Sequence, residues 1–297
     1  MNLPPILHRF LLSLVTVPFL VSGAQGASIA PYKDALFAYP ATIREDLGGD
    51  YRVVAYDEMR DINGRDEVPE RRVKGEYLSS ANRAERSDLV LDAGGQKIAH
   101  VATGKRAGAG FIVIYLHGQG GNRMQGASDL TFGGNFNRIQ NLAVRSGGLY
   151  LSPDFPDFGS GGLAVVEALA SHYLAASPGA GLFLACGSMG GQLCWKAASD
   201  PALAGKLSGL LLLGSMWDEG FLRSPAFKVR VPVFFGHGSK DSVFPVERQE
   251  AFFRAIRKAR PDYPARFVRF ETGTHGTPIR MVDWRETLNW MMAARGR

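Results

Sequence analysis

The 297 residues, 45% of them hydrophobic with 36 Gly and 16 Pro, suffice for one sizeable core and contain no repeat, heptad or low-complexity block, which excludes a fibrous or disordered chain. A formal net charge of +6 is mild, and Lys and Arg alternate with Asp and Glu, as in residues 60–72, without the basic cluster and interleaved aromatics of a nucleic-acid binder. The two cysteines, Cys186 and Cys194, are too few for a disulfide framework, so packing must hold the fold.

Residues 1–26 read as an export leader. His8 and Arg9 precede an apolar run at 10–21, which gives way to Ser22, Gly23, Ala24, Gln25 and Gly26, the order of a signal peptide cleaved after Ala24 or Gly26. The run falls short of the roughly 20 residues that a transmembrane helix needs. The expectation is an exported protein, periplasmic or secreted, with no stable membrane insertion after cleavage; a retained anchor is the alternative. Loss of Arg9 lowers the charge from +6 to about +5.

Residues 27–86 are rich in charge and lack a sustained helical period. They are expected to form a β-rich extension of short strands and loops packed on a sheet edge, or else a small separate module. From residue 87 onward apolar β-rich runs alternate with amphipathic segments, which predicts an α/β fold over 87–297: a mostly parallel, twisted sheet with helices on both faces. An antiparallel hairpin at 87–92 and 96–103 opens it. The continuous apolar run at 111–116 is a strand buried on both faces. A helix follows at 136–146, and further strands are expected at 149–152, 181–186, 209–214, 231–236 and 266–271. Helices fit between them at 163–176, 190–199 and 246–259, and a last one runs over 278–293, with Pro278 suited to its first turn. Cys186 then ends a strand and Cys194 lies in the next helix; a bridge needs α-carbons within about 7 Å, and two buried thiols are expected.

The chemistry-bearing residues fall at the ends of these strands. An apolar strand runs into Cys186, Gly187, Ser188, Met189, Gly190 and Gly191 and then into a helix, the context of a nucleophile on a sharp strand-to-helix turn. Small neighbours are needed there because the strained backbone leaves no room for side chains, and the helix start favours developing negative charge. Cys186 stands where the usual first glycine would be, and Gly190 supplies the second. A glycine-rich turn with an incidental serine is the plainer alternative. Serine needs a base to take its proton and an acid behind the base. His275 follows the strand at 266–271, and Asp241 lies in the loop after the strand at 231–236; in an open parallel sheet these loops converge on one edge with Ser188. Asp218 is a rival acid, Asp262 and Asp283 read as turn and helix-surface residues, and His237 as a structural support of the Asp241 loop. His8, His100 and His172 need only leader, surface or packing roles.

The strand at 111–116 ends in His117, Gly118, Gln119, Gly120 and Gly121, whose glycines let backbone N–H groups approach a substrate closely. The N–H groups of Gln119 and Met189 are the expected oxyanion-hole donors. A phosphate-binding loop would end in Lys and Ser or Thr, which this loop lacks.

These pieces, with the Pro-Asp-Phe-Pro-Asp-Phe-Gly stretch at 153–159, make the chain resemble the α/β-hydrolase superfamily over about residues 87–294, near its esterase, dienelactone-hydrolase and prolyl-oligopeptidase-like branches. The order Ser, Asp, His along the chain is the one that fold uses. The resemblance implies an oxyanion N–H from the residue after the His-Gly turn, Gln119, and a two-step acyl transfer through an acyl-enzyme. No HExxH, paired CxxC or dinucleotide fingerprint occurs, so no metal and no organic cofactor is called for. Between Ser215 and Lys228 there is room for a loop or short helix but no large lid, which implies an open site. Met216, Trp217, Phe221 and Leu222, with Phe155 and Phe158, are candidate walls of an acyl or aromatic pocket, with core packing as the alternative. The expected partner is a small-molecule ester or acyl compound. A carboxylic ester is the first choice, a peptidase or thioesterase activity the next, and a non-catalytic exported binding protein of the same fold the reading from another class.

Overall fold

The computed structural model describes residues 1, 28–67 and 72–295, so the leader reading of residues 1–26 lies almost wholly outside the described residues. One ten-stranded sheet organises the chain. Its strands are β1 (Thr42–Asp46), β2 (Tyr51–Val54), β5 (Arg86–Ala93), β6 (Gln96–Gly104), β7 (Phe111–Leu116), β8 (Leu149–Pro153), β9 (Gly181–Gly187), β10 (Leu207–Leu213), β11 (Val233–Gly238) and β12 (Ala265–Phe270), while β3 (Asp66–Glu67) and β4 (Arg72–Val73) pair separately. The order across the sheet is β1-β2-β12-β11-β10-β9-β7-β8-β6-β5. The pairs from β2 through β8 are parallel; β1 with β2, β6 with β8 and β5 with β6 are antiparallel.

The apolar runs form central strands because both sheet faces are covered. Along β7, Ile112, Ile114 and Leu116 enter one core while Phe111, Val113 and Tyr115 enter the other, as the two-residue side-chain period requires. Helices Ser160–Ala176, Gly191–Ser199 and Val246–Ala259 contribute Leu169, Leu193 and Phe253 to the first core. Helices Asn135–Arg145, Thr277–Met281 and Trp284–Arg295 contribute Ile139, Met281 and Trp284 to the second.

Residues 42–54 are part of this sheet: β2 pairs in parallel with β12, from Phe267 opposite Tyr51 to Phe270 opposite Val54, and Tyr51 stacks on Phe267. The chain before β1 is tied to the second core, where the Ile29 N–H donates to Asn289 Oδ1 and Asp34 bonds Arg138 and Arg285.

Most elements lie within a few residues of the sequence expectation, and two departures have a physical cause. The strand expected at 231–236 is β11, shifted toward the C-terminus, because the Val231 N–H donates to Ala226 O and closes the preceding helical turn, and Pro232 contributes only a carbonyl, which accepts from Leu210. The single helix expected over 278–293 is two helices. Val282 is extended, at φ −55 and ψ 126, because the side-chain amide of Asn135 takes the Ile279 and Val282 carbonyls, and Asp283 Oδ1 then caps the second helix through the Glu286 N–H. Asp283 is thereby a buried cap paired with Arg138 and not a helix-surface residue.

Candidate active site

The site begins where β9 meets its helix. Ser188 has φ +51, a left-handed conformation that costs a non-glycine residue roughly 1–3 kcal/mol and persists only where the surroundings hold it. The surroundings are tight. A Cβ on Gly190 would lie 2.3 Å from the Leu116 carbonyl oxygen, one on Gly191 1.8 Å from Ser215 Oγ, and one on Gly118 2.8 Å from Ser188 Cβ. Ser215 Oγ, just beyond β10, donates to the Ser188 carbonyl at 2.6 Å. The sequence expectation of two free thiols is wrong: Cys186 and Cys194 are joined in a disulfide, with α-carbons 6.3 Å apart. The single 3-10 turn Ser188–Gly190 folds the helix back along the strand end and brings the α-carbons within reach.

Two further strand ends complete the arrangement. Beyond β11, Asp241 Oδ1 accepts the N–H groups of Val243 and Phe244 at 2.8 and 2.9 Å, and Oδ2 lies 2.8 Å from His275 Nδ1. His275, in the turn after β12, places Nε2 2.9 Å from Ser188 Oγ. Burial alone would raise the Asp241 pKa, but the hydrogen bond with His275 and the two backbone N–H groups outweigh it and hold the carboxyl below its usual range. His237 is buried, and burial pushes its pKa down against the opposing pull of the Phe244 carbonyl and Asp241, and so favours the neutral ring. Its Nε2 bonds Phe244 O at 2.7 Å, bracing the Asp241 loop. The rival acid, Asp218, instead caps its own turn by accepting the Gly220 N–H at 2.7 Å.

Beside Ser188 runs the loop after β7. His117 bonds Gly118 O through Nδ1 at 2.8 Å, and the Gly121 N–H returns to Gly118 O. Gly118 presses on Ser188, so the exposed Gln119 follows directly beside it, while Met189 is the next residue on the other side. The end of the loop is pinned by Arg123, which bonds Asp154 and Asp88.

Solved structures share this architecture. Over 68% of this chain and 95% of its own, an α/β serine hydrolase homologue from Coxiella burnetii superposes at TM-score 0.51 with 19% identity. An α/β serine hydrolase without lid from Xanthomonas campestris matches at TM-score 0.50 and 16% identity, over 73% of this chain and 96% of its own. An esterase from Pyrococcus furiosus matches at TM-score 0.52 and 15% identity, over 75% and 96%. The chain has the α/β-hydrolase fold. No protein-family model and no curated protein sequence matches it.

In this hydrolase fold the stretch between Ser215 and Lys228 is a 3-10 turn, Glu219–Arg223, and a one-turn helix, Pro225–Lys228, so among the described residues this stretch forms no large lid. Met216 and Trp217 line a cleft of about 430 Å³ with Gln192, Trp195, Lys196 and Asp218; of these, Gln192 follows Ser188 by one helical turn along the chain. Phe155 stacks on the His117 ring at 4.1 Å and meets Phe158 edge-on, so this pair walls the side of the glycine-rich loop. Phe221 does not line the site: it is 1% exposed, packed among Trp195, Phe227, Phe252 and Tyr263, because the turn that carries it points its ring into the first core. Two exposed apolar residues near the site escaped the sequence reading: Met124, in the one-turn helix Arg123–Gly126 after the Gln119 loop, and Val243, in the Asp241 loop, each 54% exposed. Isolated apolar residues in loops leave no periodic signal, and only their nearness to motif residues could have singled them out.

Proposed function

We propose that the chain is a serine hydrolase that cleaves carboxylic esters through an acyl-enzyme, with Ser188 as nucleophile, His275 as base and Asp241 as the orienting acid. The observation that carries this reading is the unbroken hydrogen-bonded relay from Asp241 Oδ2 through His275 to Ser188 Oγ, at 2.8 and 2.9 Å. Asp241 holds the proton on Nδ1, leaving the Nε2 lone pair to accept the serine proton as Oγ attacks the ester carbonyl carbon. The N–H groups of Gln119 and Met189 stabilise the oxyanion. Collapse of the tetrahedral species breaks the bond to the alcohol oxygen, which leaves with the proton from His275. A water then gives its proton to the same Nε2 and its oxygen to the acyl carbon, and the carboxylic acid departs as Ser188 recovers its proton.

The short stretch between Ser215 and Lys228 and the half-exposed Met216 and Trp217 favour small, short-acyl esters, with the acyl chain running toward their cleft. We place the working protein in the periplasm or outside the cell. The leader-like order of residues 1–26 supports this, and so does a disulfide, which persists in oxidising compartments. Hydrolysis by the mature protein, assayed on matched ester, thioester and aminoacyl-amide panels with Ser188→Ala as control, tests the reading. The expected pattern is turnover of short esters that the variant abolishes; turnover unchanged in the variant removes Ser188 from the chemistry.

A further inference from the structure

We infer that the Cys186–Cys194 disulfide is a positioning device for the nucleophile, a covalent clamp that keeps the strained turn at Ser188 in its working geometry. The inference rests on the nucleophilic role proposed for Ser188. The bridge closes a loop of sequence separation 8, and Ser188 lies inside it. Its first end is anchored in the middle of the sheet, where Cys186 stands between Leu116 of β7 and Leu212 of β10. Its second end is in helix Gly191–Ser199, where Cys194 Sγ approaches the Leu184 carbonyl at 3.8 Å. Between these ends the chain adopts φ +51 at Ser188 and then passes Gly190 and Gly191 against the Leu116 carbonyl and Ser215 Oγ. The glycine contacts resist compression of this turn, and against the helix start lifting off the strand end the turn has the Ser215 hydrogen bond to the Ser188 carbonyl, which can break and re-form and so does not fix the separation. The disulfide does, because it fixes the distance across which that movement would occur.

Both cysteines are fully buried in the first core, so the bond is out of reach of reductant in the folded protein. It is therefore a permanent clamp and not a redox switch. It also accounts for the departure from the expected glycine at position 186: a cysteine there gives up the smallest side chain in exchange for a cross-link to the helix.

The test compares the wild-type protein with Cys186→Ala/Cys194→Ala, and with Cys194→Ser as a milder variant should the double variant not fold. A fluorophosphonate probe reports nucleophile competence, a nitrophenyl acetate assay separates kcat from KM, and amide exchange over residues 187–191 reports the turn without reference to activity. The expected result is a labelling rate and kcat at least tenfold lower, KM within twofold, the pH profile of the remaining activity unchanged, and exchange at 187–191 at least tenfold faster while β7 and β10 keep their protection. Labelling within twofold of wild type, or exchange that accelerates across the whole sheet, overturns the clamp and leaves the triad reading standing. A wild-type protein that takes up no probe overturns the triad reading instead, and exchange at 187–191 alone then decides whether the bridge holds the turn.

Discussion

Asp241 is held by three donors at once, and the division of labour between its oxygens gives the relay a direction. Oδ1 takes two backbone N–H groups, so only Oδ2 faces His275. An amide at this position must keep its oxygen toward the backbone donors and turn its NH2 toward Nδ1, which forces the proton onto Nε2 and removes the lone pair that Ser188 needs. For Asp241→Asn, kcat/KM on a short ester is expected to fall by about 10³–10⁴-fold with KM little changed, as measured by steady-state kinetics. The same carboxyl has a folded-state pKa below its unfolded value, so its contribution to stability is present above the ordinary Asp value of about 3.9 and is lost as pH falls through the folded pKa. Thermal denaturation followed from neutral pH downward should show wild type losing part of its advantage over Asp241→Asn in that acidic window; a constant gap contradicts the assignment. That Ser188, His275 and Asp241 lie close together was legible because each sits in a motif at the end of an apolar strand. The disulfide was not, because its feasibility depends on a turn geometry that spacing alone does not give. Phe221 was misplaced for a related reason, since aromatic character does not say which way a turn aims a ring.

At the scale of the element, the strand-to-helix turn works only because neighbouring backbone comes very close. The Gly190→Ala methyl would meet the Leu116 carbonyl at 2.3 Å, and a strand carbonyl cannot yield as a flexible side chain can. Overpacking of this kind costs about 1–3 kcal/mol, which in a chain of this size lowers Tm by roughly 2–6 °C. Calorimetry of Gly190→Ala checks it, and an unchanged Tm would mean that the turn is looser than its contacts indicate. The bridge contributes at this scale too: closing a loop of this length stabilises the fold by about 2–3 kcal/mol in the chain-entropy account. Urea unfolding of the bridged protein and of Cys186→Ala/Cys194→Ala should differ by that amount, and coincident curves would contradict it. Most strands were readable to within two residues because continuous apolar runs between glycines mark them. The break at Val282 was invisible, being imposed by Asn135 from a distant helix that captures carbonyls the sequence pattern assigns to a continuing helix.

Across the whole molecule, both sheet faces are covered and the strand ends that carry Ser188, Asp241 and His275 converge on one edge. The charged stretch before residue 87 hid its part in this. β1 and β2 are short and carry few of the apolar runs that mark a central strand, yet β2 covers the open edge of β12 and buries Tyr51 against Phe267. Removing residues 28–54 should expose the β12 edge and yield insoluble protein, read as loss of the soluble fraction on expression. A soluble truncated chain with the Tm of the full one would show that the strands are dispensable. The central claim is that Ser188 is a nucleophile activated by the relay through His275. Mass mapping of the protein after fluorophosphonate treatment tests it most directly: the account predicts one adduct, on Ser188, lost in His275→Ala, whereas an unmodified Ser188 or equal labelling without His275 would contradict it.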